Sequence, residues 1–104
     1  MNAELYLNKA LLQLSRGMEE KAIESLLAVV ENAEEDEVSK IKAYMILGEY
    51  YFLKAEYGKS KEYLTYINER SDEIEQEYDD LLADEVYEAE MLLEVMERFH
   101  WLCQ

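Results

Sequence analysis

Proline is absent from the 104-residue chain, and glycine occurs only at Gly17, Gly48 and Gly58. Nearly every residue therefore keeps a backbone N–H to donate, and few positions favour a break, so helices can run on wherever the side chains permit. Apolar residues recur at steps of three and four, while the strict alternation of a half-buried strand is missing. The chain reads as all-α.

In the first segment Leu5, Leu7, Leu11, Leu12 and Leu14, with Ala3 and Ala10, predict a helix over Ala3–Ser15 that Asn2 caps. Gly17 ends it, and Ala22, Ile23, Leu26, Leu27 and Val30 predict a second helix over Glu19–Asn32. The polar, acidic stretch from Asn32 to Glu37 reads as a connection. Ile41, Tyr44, Met45, Gly48, Tyr51 and Phe52 place a third helix over Val38–Ala55, and Gly58 precedes a fourth over Lys59–Asn68. Ser71 or Asp72 is then placed to cap a fifth. Asp72–Leu102 contains no glycine, and Tyr78, Leu82, Val86, Ala89, Leu93 and Met96 step by three and four. One long fifth helix is the expectation, roughly 45 Å at ~1.5 Å per residue, with the acid-crowded Asp79–Asp84 as the point where a kink or loop would divide it. A chain of this length makes one domain, residues 1–104, burying roughly 65% of its unfolded surface.

The first four helices carry an internal repeat. A uniform offset of 38 sets Tyr6 opposite Tyr44, Ala10 opposite Gly48, Gln13 opposite Tyr51, Ala22 opposite Ser60, Leu26 opposite Leu64 and Val29 opposite Ile67. In the second unit, Tyr44-x-x-Leu47-Gly48-x-x-Tyr51 followed by Tyr57, Ser60, Leu64 and Ile67 resembles the tetratricopeptide-repeat pattern. The likeness is clearer there than in the first unit, where Lys9 and Gln13 stand at the Leu and Tyr positions. It implies two stacked antiparallel hairpins, with the fifth helix capping the apolar edge that such an array leaves open. It also implies that the first helix of each hairpin lines a groove for a partner's peptide or helix, with Asn8, Gln13, Glu49, Tyr50 and Leu53 as candidate contacts. Adaptors and small chaperones are the uses such a resemblance implies.

Charge narrows the partner. The chain holds 25 acidic and 10 basic residues, a net charge of −15. Residues 1–70 carry 9 − 13 = −4 and residues 71–104 carry 1 − 12 = −11. Such a surface repels nucleic-acid phosphates and anionic membranes, so direct binding to either is not expected. Between Ser71 and Glu97 there are twelve acids and no lysine or arginine, and like charges along a helix cost stability. Beside a plain solubility surface, the functional reading is a docking face for a basic protein, with Asp79, Asp80, Asp84 and Glu88 as its candidates. A sharper alternative is that the acids mimic nucleic acid and occupy a DNA- or RNA-binding protein.

Catalytic and metal chemistry find little support. Glu97-x-x-His100 has the Glu-x-x-His spacing of di-iron bundles, but those use two such steps and His100 is the chain's one histidine. Asp79, Asp80 and Asp84 lack the glycine and ligand spacing of a calcium loop. Cys103 is the sole cysteine, so an intrachain disulfide or thiolate cluster is not possible. No cofactor and no enzymatic activity are expected. With no basic leader and no apolar run approaching the ~20 residues of a membrane span, a cytoplasmic protein is expected. Phe99, Trp101 and Leu102 form an apolar end that marks a contact between copies, a homodimer in the simplest case. The sequence thus predicts a five-helix, non-catalytic protein-binding module.

Overall fold

The computed structural model describes residues 1–32 and 36–104, which form six α-helices: α1 (Ala3–Ser15), α2 (Glu19–Asn32), α3 (Glu37–Leu53), α4 (Tyr57–Glu69), α5 (Ser71–Tyr78) and α6 (Ala83–Arg98). No strand occurs among the described residues. Residues 33–35, the middle of the expected acidic connection, lie outside them. The first two helices have the predicted bounds, and the Asn2 side chain accepts from the Leu5 N–H at 3.0 Å. Asp36 does the same for α3, its carboxylate accepting from the backbone N–H and hydroxyl of Ser39 at 3.0 and 2.9 Å.

α1 and α3 end in the same way, 38 residues apart. Met18 N–H donates to Gln13 O and Gly17 N–H to Leu14 O; Glu56 N–H donates to Tyr51 O and Ala55 N–H to Phe52 O. These are Schellman caps, which require a left-handed residue, met by Gly17 at φ 71° and by Ala55 at φ 60°. The expected third helix therefore stops at Leu53, and Ala55 belongs to its cap. Short connections fold α2 back on α1 and α4 back on α3.

The first hairpin's core holds Leu7, Ala10, Leu26 and Val29, joined by Ala43 and Leu47 of α3. A second core gathers Ile41, Met45, Leu64, Ile67, Ile74, Leu82, Ala89 and Met96. Fully burying a leucine such as Leu26 or Leu64 contributes about 1.5–3 kcal/mol, so these residues fix the helix faces. α3 packs on α2 and, less extensively, on α1; α6 packs on α4 and, less extensively, on α3. Tyr44 stacks on Tyr66 at 3.9 Å between ring centroids and Tyr51 on Tyr63 at 5.8 Å, filling the space between α3 and α4.

Two expectations are corrected. The single long fifth helix is two, making six helices rather than five: Asp79 leaves the helical region at φ 51°, ψ −121°, and residues 79–82 turn before α6 begins. A straight helix of roughly 45 Å would overhang a molecule whose longest axis is 40 Å. The break instead puts Ile74 and Leu82 into one core. Neither Ser71 nor Asp72 caps the next helix, because α5 begins directly at Ser71, after Arg70, without a side-chain cap. Arg70 instead lies 3.7 Å from the Tyr66 ring centroid and donates to Tyr66 O at 2.9 Å.

Candidate partner-binding groove

α1 has more leucines than one face can hold. Leu7 is buried and Leu14 partly so, but Leu5, Leu11 and Leu12, expected on the core stripe, are exposed. Leu11 faces α3 and α6 across a groove of about 290 Å³. Leu7 and Leu11 from α1 with Met45 and Ile46 from α3 line its apolar part, and Lys42 enters from α3. Carboxylates line the rest: Glu49 from α3 and Asp84, Glu85 and Glu88 from α6. Residues as far apart in sequence as Leu7 and Glu88 thus share one depression because α1, α3 and α6 each present a side to it.

The carboxylates act on one another. Partial burial, foremost, then a hydrogen bond with Glu88 and the charges of Glu88 and Glu85 push the Glu49 carboxyl up to about 8. At neutral pH a value so raised favours the protonated carboxyl. A cationic side chain brought beside Glu49 would favour its ionised form instead.

Three of the predicted residues, Glu49, Asp84 and Glu88, line this groove together. Leu53 stands one helical turn beyond Glu49 on α3 and is 83% exposed. Asn8 is exposed on α1 beside the groove wall. Gln13 is not available as a groove contact, because it is buried between α1 and α2 and its side-chain oxygen accepts from the Ser25 hydroxyl at 2.8 Å. Tyr50 is turned toward α2: its hydroxyl donates to Glu19 at 3.0 Å, and Lys54 pairs with the same carboxylate at 2.9 Å. Those two contacts, Lys54 foremost, hold the Glu19 carboxyl below its usual value.

Asp79 and Asp80 lie elsewhere, on a separate notch between α5 and α6 that Ile74, Val86 and Tyr87 also line. The acidic face is therefore divided by α6 into two depressions. Phe99, Trp101 and Leu102 are exposed after α6, with Phe99 and Trp101 rings 5.8 Å apart. His100 follows the helix rather than extending its Glu-x-x-His step, and packs edge-on against Trp101. Among the described residues, no three His, Cys, Asp or Glu side chains stand where they could hold a metal ion, and no helix is long and apolar enough to cross a membrane.

Sequence reasoning missed Leu11, Lys42, Ile46 and Glu85. A signal for part of this set exists: Lys42, Ile46, Glu49 and Leu53 are spaced four, three and four apart, a single stripe of α3. No protein-family model, curated protein or solved structure matches the chain.

Proposed function

We propose that this chain is a non-catalytic binding module, of the adaptor or small-chaperone kind, that takes a basic amphipathic segment of a partner protein into the groove between α1, α3 and α6. The observation that carries this reading is the groove's lining: apolar side chains from α1 and α3 flanked by four carboxylates from α3 and α6. Leu11 and Ile46 gain by burial against an apolar face of the segment, and the carboxylates pair with lysines or arginines beside it. The acids of α5 and α6 speed the encounter and oppose acidic competitors. The packing of α3 on the first hairpin and of α6 on the second supports a tetratricopeptide-like stack, in which α6 occupies the place of a third leading helix. An apolar lining favours a peptide over the nucleic-acid-mimic reading, since a phosphate-binding surface has little apolar area to bury there.

The test is titration of a labelled helical peptide of leucine and lysine, with a leucine and glutamate peptide as control. The lysine peptide should bind, more weakly as salt rises, and Glu88→Lys should weaken it about tenfold or more, which corresponds to ~1.4 kcal/mol. Equal binding by wild type and Glu88→Lys would remove the groove from the mechanism. Displacement of DNA from a basic DNA-binding protein, unaffected by Glu88→Lys, would favour the mimic instead.

A further inference from the structure

We propose that copies of this chain associate head to tail, the outward face of α1 in one copy seated on the outward face of α6 in the next. The chain already uses the first of these faces internally. In the second hairpin Ala43 and Leu47 are fully buried in the core shared with the first. Tyr50 and Lys54, farther along α3, reach Glu19 at the start of α2. The residues 38 positions earlier are Leu5, Lys9, Leu12 and Arg16. Their spacing of four, three and four puts them on one stripe of α1, and all four are exposed, Leu5 at 62% and Leu12 at 50%. The first hairpin thus presents the counterpart of the face by which the second stacks, and these leucines take no part in the chain's own core.

Charge indicates what covers it. That stripe combines two leucines with two bases, in a chain of net charge −15. α6 is the last helix of the series, packed on α4 as α3 is packed on α2. Its outward side exposes Tyr87 and Met91 among Glu90, Glu94 and Glu97, with one base, Arg98, at its C-terminal end. Lys9 and Arg16 are seven residues apart, as are Glu90 and Glu97, which is roughly 10.5 Å along a helix axis in both cases. Both ion pairs can therefore form in one parallel register, Lys9 with Glu90 and Arg16 with Glu97, with Leu12 and Met91 between them and Leu5 and Tyr87 about one turn before the first pair. A second copy supplies this acidic, apolar face at the same concentration as the basic one.

Because the two surfaces differ, the contact is heterologous and leaves a free face at each end. Average mass measured by light scattering should therefore climb with protein concentration past twice 12.3 kDa. A head-blocked variant, Leu5→Asp with Leu12→Asp, should stay monomeric, as should a tail-blocked variant, Tyr87→Asp with Met91→Asp. Mixed together, they should form a dimer and nothing larger. A wild type that stays monomeric at every concentration overturns the proposal, as does a blocked variant that still associates with itself, or a mixture that does not associate. The substituted side chains are exposed, and circular dichroism checks that each variant folds. Should one misfold, charge reversal provides the same test: Lys9→Glu with Arg16→Glu should lose association alone and regain it with Glu90→Lys and Glu97→Lys, and failure to regain it overturns the proposal.

Discussion

The Ser60 hydroxyl donates to the Gly48 carbonyl oxygen over 2.7 Å, buried in the contact between α3 and α4. The bond is possible because Gly48 lets the two helices come close. A Cβ on Gly48 would stand 2.6 Å from Leu64 Cγ, and Leu64 is fully buried with little room to retreat. Replacing glycine by alanine in a helix ordinarily gains about 1 kcal/mol, whereas overpacking a core costs about 1–3 kcal/mol. Overlap with a buried branch point should win, so Gly48→Ala is expected to lower the thermal midpoint. Gly58→Ala provides the control: a Cβ there meets nothing within 4 Å, and the midpoint should hold or rise.

The serines of the two hairpins should differ in cost. Ser60→Ala removes a donor from a carbonyl that lies inside α3 and keeps the helix's own bonding, so about 0.5–1.5 kcal/mol is expected. Ser25→Ala leaves the buried Gln13 side-chain oxygen without its partner, and an orphaned buried acceptor costs about 1–3 kcal/mol. Urea denaturation of both variants checks the order, and a Ser60→Ala loss exceeding that of Ser25→Ala would contradict it.

The paired helix caps predict opposite responses to exchanging glycine and alanine. A left-handed conformation costs a residue with a Cβ about 1–2 kcal/mol, partly offset by the greater freedom of glycine in the unfolded chain. Ala55→Gly should therefore stabilise the protein and Gly17→Ala should destabilise it, each by about 1 kcal/mol. Thermal melts decide. Two shifts of the same sign would mean that the caps are not equivalent.

These caps also show why the fold was largely legible. The offset of 38 seen in Ala10 and Gly48, or Leu26 and Leu64, reappears in backbone geometry at Gly17 and Ala55, because local patterns specify local structure. What escaped was tertiary. Ala55 is a good helix former and gives no sign of a left-handed cap, and the Asp72–Leu102 pattern continues through the turn at residues 79–82, which brings Ile74 and Leu82 into one core. Gln13 reads as a polar surface residue until α2 brings Ser25 against it. The site was half legible for the same reason. Glu49, Asp84 and Glu88 are acids among many in the sequence, and only the approach of α6 to α3 makes them neighbours of Leu11 and Ile46.

That approach gives Glu49 a measurable pH signature. Its carboxyl titrates near 4.5 when unperturbed and is pushed up to about 8 in the folded protein, first by burial, then by its bond to Glu88 and the charges of Glu88 and Glu85. The other groups facing the groove are Asp84 on α6 and Lys42 on α3, while the α1 wall, Leu7 and Leu11, does not titrate. Between those two pH values the folded chain holds a proton that the unfolded chain has lost, so stability must fall as pH rises. The contribution is complete below about pH 4.5 and gone above about pH 8. Glu49→Gln keeps a donor toward Glu88 without the titration. Its thermal midpoint should therefore exceed that of wild type at pH 8.5 by more than it does at pH 5. The comparison cancels the acids that lie away from the groove, which are the same in both proteins. Parallel midpoint profiles for the two proteins across this range would show that Glu49 titrates as an ordinary surface carboxylate and that the groove does not hold its proton.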